Sequence, residues 1–421
     1  MKLVKERGSD IAGTLALDHA REAMAPAIAP MRTVARPARG FAAILHTCLE
    51  AAEGAGRALE ADGSLTAFQS FDWIRAIRDH LIDPGASDWQ IVEVVCRRTG
   101  ETLLILPLVR TRRRGFRVTD FVSAQVCDYA APILARGLGL DEADMAEIWS
   151  AARSALAPTD IIRVSLIAQS PYSGPNPLAT MAGATLSPHV AMSMPLKGDD
   201  SNALDQCFPA QFVRDYHKFS RKIGRKGGPF EFVEARTVAE ANEILDTLVK
   251  QRTARFARIG RADLLMRPEV VAFYRAAALR GIEDGSARLV AARVRDETIA
   301  TCFALVHARV LYVPMLAIDD DKWRDCAPGK LLYGQIVRWA VRNNLTYFDL
   351  GIGMPDFKAS MGFASSPLYN VVEAVTLKGA AIVRLQGLGA AGHEWLRERP
   401  AIYERLRRAR QFLRRSSLRR R

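Results

Sequence analysis

The sequence predicts an α/β protein of the α+β kind: tandem units, each a mixed, mostly antiparallel sheet flanked by helices. Three observations lead there. Strand-like and amphipathic helical runs alternate along 421 residues, 49% hydrophobic and 25% charged, the proportions of an ordinary folded body. That length favours two or three domains. The order of elements then recurs. Gly100-Glu101-Thr102 and Asp296-Glu297-Thr298 stand 196 residues apart, and the helix residues Trp149 and Trp339 stand 190 apart. A repeated order at a nearly constant offset is the mark of a duplicated unit.

Residues 1–64 read as a flexible N-terminal arm, rich in Ala, with Pro26, Pro30 and Pro37 and no sustained period. The first unit is placed at 65–198. Phe71, Trp73, Ile74 and Ile77 recur at helical spacing and stop before Pro84-Gly85. Trp89–Cys96 and Glu101–Val109 flank a turn, as in a hairpin. Arg117–Ser123, Ala131–Leu134 and Asp160–Ile167 are further strands, and Asp141–Ala155 is a helix. Val164–Leu196 contains no Asp, Glu, Lys or Arg, but its five prolines break any spanning helix. It reads as a strand end, a loop and a linker.

The second unit is placed at 199–380. A basic helix at 202–226 precedes a strand at 229–235 and helices near 238–258 and 268–280. Strands follow at Ala287–Val294, Thr298–Val306 and Val310–Ile318, then an amphipathic helix over Gly329–Val341 and strands at Thr346–Leu350 and Tyr369–Leu377. Residues 381–421 form a C-terminal basic helix or tail. There Ile402, Leu406, Ala409 and Leu413 share one helical face and Arg residues occupy much of the rest. Such a segment can make weak, reversible contact with an anionic membrane, or pack on the domain with a solvated end.

Net charge is +13 but unevenly spread. Residues 405–421 hold nine Arg and no acid, and residues 212–230 hold six Lys/Arg against one Asp. The remainder is close to neutral, which suits a folded body with local sites for phosphate or an acidic surface. No helix-turn-helix, zinc finger or RNA-binding sheet motif is present, so specific DNA binding is not expected. The six Cys show no C-x-x-C spacing and read as buried free thiols in a reducing compartment; the seven scattered His offer no metal site. The N-terminal run Ile11–Leu17 is short and flanked by Asp10 and Asp18, unlike a secretory signal. A cytoplasmic location follows as an expectation.

The most informative stretch is Leu311–Gly362, in the order strand, loop, helix, strand, loop. Pro328-Gly329-Lys330 opens the helix, where unpaired N–H groups and a partial positive charge favour phosphate. Lys330 and Arg324 add formal charge. The same residues also make a plain Pro-Gly helix start. Asp349 ends a strand with Tyr347 on the same face, and Asp356 and Lys358 follow in a Gly/Pro-containing loop. A carboxylate there could accept a proton from an attacking amine, or cap and pair structurally. Asp128 and Tyr129 lie at the matching strand-to-loop transition of the first unit, as groove residues or as a turn.

This order resembles the acyl-CoA segment of the GNAT acyltransferases. The usual Gln/Arg-x-x-Gly-x-Gly/Ala loop is altered here to Arg324-Asp325-Cys326-Ala327-Pro328-Gly329-Lys330. A wider resemblance, over about residues 65–378, is to CelD-type acetyltransferases associated with cellulose and exopolysaccharide biosynthesis. Phe68-Gln69-Ser70-Phe71-Asp72-Trp73, Leu106-Pro107-Leu108-Val109-Arg110, Asp128-Tyr129 with Pro132, and Arg255-Phe256 carry it. So do Pro328-Gly329-Lys330-Leu331-Leu332, Phe348-Asp349-Leu350-Gly351 and Phe357-Lys358. Such proteins are similar to Fem-type aminoacyltransferases, which contain two GNAT-like units.

The resemblance implies direct acyl transfer from acetyl-CoA or another acyl-CoA, as co-substrate, to an amine or hydroxyl of a small molecule or glycan. It implies no permanent cofactor and no metal. It places acyl-CoA at Met315, Leu316, Ala317, Arg324, Pro328, Gly329, Lys330 and Leu331. Asp349 and Lys358 are the catalytic candidates; Asp128, Tyr129, Tyr347 and Asp356 are the acceptor-binding candidates. The alternatives are a Fem-type aminoacyl-tRNA-dependent transferase and a non-catalytic partner of a polysaccharide synthase.

Overall fold

Two hairpin series meet in the middle of one continuous sheet. The computed structural model describes residues 40–386 apart from 63–65, 114, 171, 173 and 354. Its strands are β1 (Phe41–His46), β2 (Ser87–Cys96), β3 (Thr102–Arg113), β4 (Phe116–Phe121), β5 (Ile133–Leu134), β6 (Ile161–Ala168), β7 (Thr185–Pro195), β8 (Glu231–Glu234), β9 (Ala287–Val294), β10 (Glu297–His307), β11 (Val310–Ile318), β12 (Tyr347–Asp349) and β13 (Ala364–Ala374). The helices are α1 (Leu49–Asp62), α2 (Phe71–Leu81), α3 (Glu142–Ala155), α4 (Ala203–Cys207), α5 (Ala210–Lys226), α6 (Val238–Arg258), α7 (Pro268–Asp284), α8 (Pro328–Arg342) and α9 (Pro355–Ala359).

The sheet order is β1-β2-β3-β4-β6-β13-β7-β12-β11-β10-β9-β8, with β5 on β3. It reads the same from either end when β1 is matched to β8, β2–β4 to β9–β11, β6 to β12 and β7 to β13. In each half four antiparallel strands, β1–β4 and β8–β11, are followed by one parallel pair, β4 with β6 and β11 with β12. The helices that bridge those parallel pairs, α3 and α8, are the crossovers such pairing requires. The last strand of each half then crosses over. β7 lies beside β12, β13 lies beside β6, and the two pair with each other. The fold is thus a mixed α/β body with a large mixed sheet flanked by helices.

Asp356 and Lys358, expected in a loop, lie on the short helix α9, and the last strand runs Ala364–Ala374 rather than Tyr369–Leu377. Two further segments differ more widely from the sequence expectation. The chain is regular well before residue 65, because β1-α1-α2-β2 is the first half's version of β8-α6-α7-β9. Helix α1, LEAAEGAGRALEAD, hides its signal: small Ala and Gly residues do its packing, and Gly56 lies so close to the Phe71 ring that a Cβ would sit 1.9 Å from it. The stretch expected to be a linker contains β7, a central strand. Its Pro188 falls where the pairing with β13 skips register, between Leu186–Tyr369 and Val190–Pro367, so no ladder bond is lost to it.

Period-two alternation splits the strands between two layers. On one face Ile91, Ile105, Phe303 and Leu305 join α1, α2, α6 and α7 in a core shared by both halves. On the other face each half has its own core, one under α3 and one under α5 and α8. Trp73 of α2 pins the shared layer: its ring stands edge-on to Phe273 of α7 at 4.8 Å and to Tyr274 at 6.1 Å. Cys96, Cys127, Cys302 and Cys326 are buried free thiols, Cys207 is half-buried and Cys48 is exposed. Residues 377–386 are helical; the rest of the predicted basic tail, and residues 1–39 of the predicted arm, lie outside the described residues.

Because the halves share one helical layer and exchange strands, urea unfolding followed by Trp fluorescence and by circular dichroism should give one coincident transition. Trp73→Ala should lower stability by about 3–5 kcal/mol in the same experiment. Two separable transitions would contradict the interlocked arrangement.

A candidate active site at the seam between the halves

Asp349 closes β12 with its side chain 1% exposed, where β12 is flanked by Tyr312 of β11 and Ser193 of β7. A buried carboxylate needs donors, and three elements supply them. The Tyr129 hydroxyl donates to both Asp349 oxygens at 2.8 and 2.9 Å, the Tyr172 hydroxyl donates to Oδ2 at 2.5 Å, and the Gly351 N–H donates to Oδ1 at 2.5 Å. Tyr129 and Tyr172 belong to the first half and Asp349 to the second, so the bonds span the seam.

Asp128 approaches the same turn from the first half. A Cβ at Gly351 would stand 2.0 Å from Asp128 Oδ2, and Gly351 has φ +62, so this position needs glycine for both space and backbone conformation. The Ile352 N–H also donates to Asp128. Lys358 of α9 completes the group. Its ammonium donates to the carbonyls of Leu350 at 2.6 Å, Gly351 at 3.2 Å and Ile352 at 2.6 Å. All three of its ammonium protons are committed to backbone carbonyls.

Burial dominates the titration of this cluster. It raises Asp349 despite its hydrogen bonds, and it raises Asp128 to about 7, with the neighbouring Asp349 charge adding to the effect and Lys358 opposing it. Burial also lowers Lys358, against the pull of Asp128 and Asp349. Tyr129 and Tyr172 are pushed well above the usual phenol range, first by burial and then by Asp349, so both stay donors.

The structure therefore brings together Asp128, Tyr129, Asp349 and Lys358. Tyr347 borders them, its half-buried ring 4.6 Å from that of Tyr172. Asp356 is exposed on α9 and stands apart. Tyr172 was not singled out from the sequence, and Gly351 only as the end of the motif Phe348–Gly351; Tyr172 sits between Pro171 and Pro175, where the pattern reads as loop.

Beside the site, β11 pairs with β12 only from Val310 to Tyr312, while its other edge continues along β10 to Ile318. Among the described residues, no strand pairs the edge beyond Tyr312. Met315 and Ala317 face the shared core, and Leu316 packs toward the α5–α8 core. Gly329 touches the end of this strand, with Ile318 and Leu316 side chains 3.3 and 3.4 Å from a Cβ built on it. Pro328 and Leu331 are buried, Lys330 pairs with Asp215 of α5 at 2.7 Å, and the exposed Arg324 lies 3.6 Å from Asp320. The loop holds Asp319, Asp320, Asp321 and Asp325, and Lys222 and Lys226 of α5 pair with Asp325 at 2.7 and 3.0 Å. A cleft of about 450 Å³ between α2 and α7, walled by Arg57, Asp72 and Arg280, shares no lining residue with this site.

Residues 210–359 match the acetyltransferase (GNAT) domain family model. The matched segment covers α5 to α9, and so includes β11, the α8 N-terminus, Asp349 and Lys358. Among solved structures, FemX is similar with a TM-score of 0.54 at 13% identity, over 82% of this chain and 99% of that chain. That likeness speaks for the fold alone. A tandem GNAT protein from the clavulanic acid biosynthesis pathway scores 0.43 at 14% identity, over 80% of this chain and 99% of that one. L-PGS from Bacillus licheniformis scores 0.46 at 11% identity, over 79% and 96%. No curated protein matches the chain. Among the described residues, no group of His, Cys, Asp and Glu could hold a metal ion, and no helix is long and apolar enough to cross a membrane.

The raised Asp128 has a consequence for stability. Its folded value of about 7 exceeds the ordinary aspartate value of about 3.9. Between those values the folded chain keeps a proton that the unfolded chain has released. The stability from this group is complete below about pH 4 and lost as pH rises through 7. Asp128→Asn removes the dependence, so its Tm relative to wild type should climb from pH 5 to pH 8.5 in calorimetry. A difference constant with pH would show that Asp128 titrates normally.

Proposed function

We propose that the chain is an acyltransferase that moves an acyl group directly from an acyl-CoA thioester to an amine or hydroxyl. The observation that carries this reading is the free edge of β11 beyond Tyr312, which opens beside Asp128 and Asp349. The GNAT match over residues 210–359 supports it. The thioester would lie along that edge, its carbonyl oxygen taking a backbone N–H of the Met315–Ala317 segment, with the pyrophosphate toward Gly329 and Lys330. The acceptor atom attacks the carbonyl carbon, its proton passes to a carboxylate, and the C–S bond breaks to release the thiolate. Positioning and oxyanion stabilisation supply most of the acceleration.

Asp128 is the better base of the two carboxylates. Asp349 already accepts from Tyr129, Tyr172 and Gly351, which uses its lone pairs. Asp128 remains partly open and is tuned to about 7, where a base both carries its charge and holds a proton well. Asp349 and Lys358 then act as the frame: one orients the tyrosines, the other balances charge. A glycan acceptor and a role in exopolysaccharide synthesis rest on the sequence resemblance; attachment to a membrane through the Arg-rich tail rests on the division of apolar and Arg residues along that segment of the sequence.

A second reading, transfer from an aminoacylated RNA, draws on α5. Arg214, Lys218, Arg221 and Arg225 are exposed along one stripe of that helix, which is tied to the donor loop through Lys222 and Lys226. Calorimetry separates the readings. Acetyl-CoA should bind, and at ~100 Kd it should add about 2.7 kcal/mol of stability. Gly329→Asp, which puts a side chain and a charge at the phosphate end, should abolish that gain with the fold intact. Turnover with amine acceptors should rise through pH 7, and Asp128→Asn should cut it by about 10²–10⁴-fold. Stabilisation by RNA and none by acetyl-CoA would favour the second reading.

A further inference from the structure

Strand β6 breaks its alternation beside the site. Val164 and Ile167 both face the α3 core, with Ser165 and Leu166 between them, and this pair stands opposite the single residue Asn370 of β13. Leu166 has φ +63, a conformation that side-chain-bearing residues rarely adopt. The extra residue turns Leu166 onto the other face, against the shared core that holds Tyr129, with Tyr172, Tyr347 and Ile352 at its border.

Side chains and backbone secure the bulge. The Leu166 N–H donates to Asn370 Oδ1 at 3.1 Å, so the donor that the bulge takes out of the ladder is satisfied. The Leu166 carbonyl, swung the other way, accepts the Ala130 N–H at 2.9 Å. Ala130 directly follows Tyr129. Its own carbonyl accepts from Asn176 at 3.0 Å, and the Tyr129 carbonyl accepts from Gln69 at 2.8 Å. Residues 128–130 are thereby laid alongside β6 in the opening where β4 and β6 part. The matching opening of the second half, between β11 and β12, is left free on the β11 edge among the described residues.

We propose that the Asn370-capped bulge at Ser165–Leu166 is a positioning element that holds Asp128 and Tyr129 against Asp349. Its catalytic meaning rests on the reading of Asp128 above; the mechanical claim does not. Bulges re-aim side chains and commonly border active sites, and a left-handed non-glycine residue persists only where its surroundings enforce it. Here the enforcing residue, Asn370, comes from the strand that the second half lends to the first. The groups facing Asp128 are Asp349 and Lys358 from the second half, Tyr274 from α7, and its neighbours Cys127 and Tyr129.

The test uses the full chain with aspartate labelled at the carboxyl carbon. The resonance lost in Asp128→Asn reports that carboxyl and is followed against pH. Wild type should show a midpoint near 7. Asn370→Ala should move it by about one unit or more toward the ordinary aspartate range, as the segment loosens and more water reaches the carboxyl. Asn370→Asp, which keeps an acceptor oxygen for the Leu166 amide, should stay with wild type. If Asn370→Ala does not fold, Asn370→Thr takes its place, since its hydroxyl is too short for that bond. A midpoint unchanged by loss of the Asn370 acceptor overturns the proposal, whatever happens to Tm and wherever the wild-type midpoint lies. The readout needs no substrate, so a negative acetyl-CoA result counts against the acyltransfer reading alone.

Discussion

One buried carboxylate organises the middle of this protein. Asp349 ends a three-residue strand and would be costly to bury alone. Its donors come from three places: Tyr129 and Tyr172 across the seam, and the Gly351 amide in its own turn. Those bonds tie the loops of the first half to the strand end of the second. The turn they hold brings Gly351 against Asp128 and folds three carbonyls around Lys358. Fold and candidate chemistry depend on the same few atoms.

The strand exchange explains why the site sits at the seam. Each half's terminal strand completes the other's sheet, so β7 and β13 fix the two halves in one register. The two halves differ at equivalent places. After β4 the first half fills its opening with residues 128–130, which carry Asp128 and Tyr129. After β11 the second half leaves a strand edge open. In the reading proposed here, the donor side and the acceptor side come from the same duplicated feature, used in two ways.

The local parts of this arrangement are legible in the sequence. The hairpins β2–β3 and β9–β10 follow from alternation around tight turns, and α8 follows from its Pro-Gly start and apolar stripe. Asp349, Lys358, Asp128 and Tyr129 stand out because charged and aromatic residues cluster at strand ends. What was not legible is non-local. β7 reads as linker because Pro188 and Pro195 interrupt it, and only its pairing with β12 and β13 makes it a central strand. α1 packs through Ala and Gly, which carry little periodic signal. Tyr172 meets Asp349 across 177 residues of chain, from a loop flanked by prolines. The bonding of Asp349 is equally hidden, because its three donor groups come together only in the fold.

The claim that the seam is held by Asp349 can be measured by a double-mutant cycle between Tyr129→Phe and Asp349→Asn, read from urea unfolding at pH 8. A hydroxyl bonded to a buried carboxylate should show a coupling of about 1–3 kcal/mol, with the double variant much less destabilised than the sum of the singles. Additive effects, with coupling near zero, would mean that the two residues are independent and that the seam is held by something else.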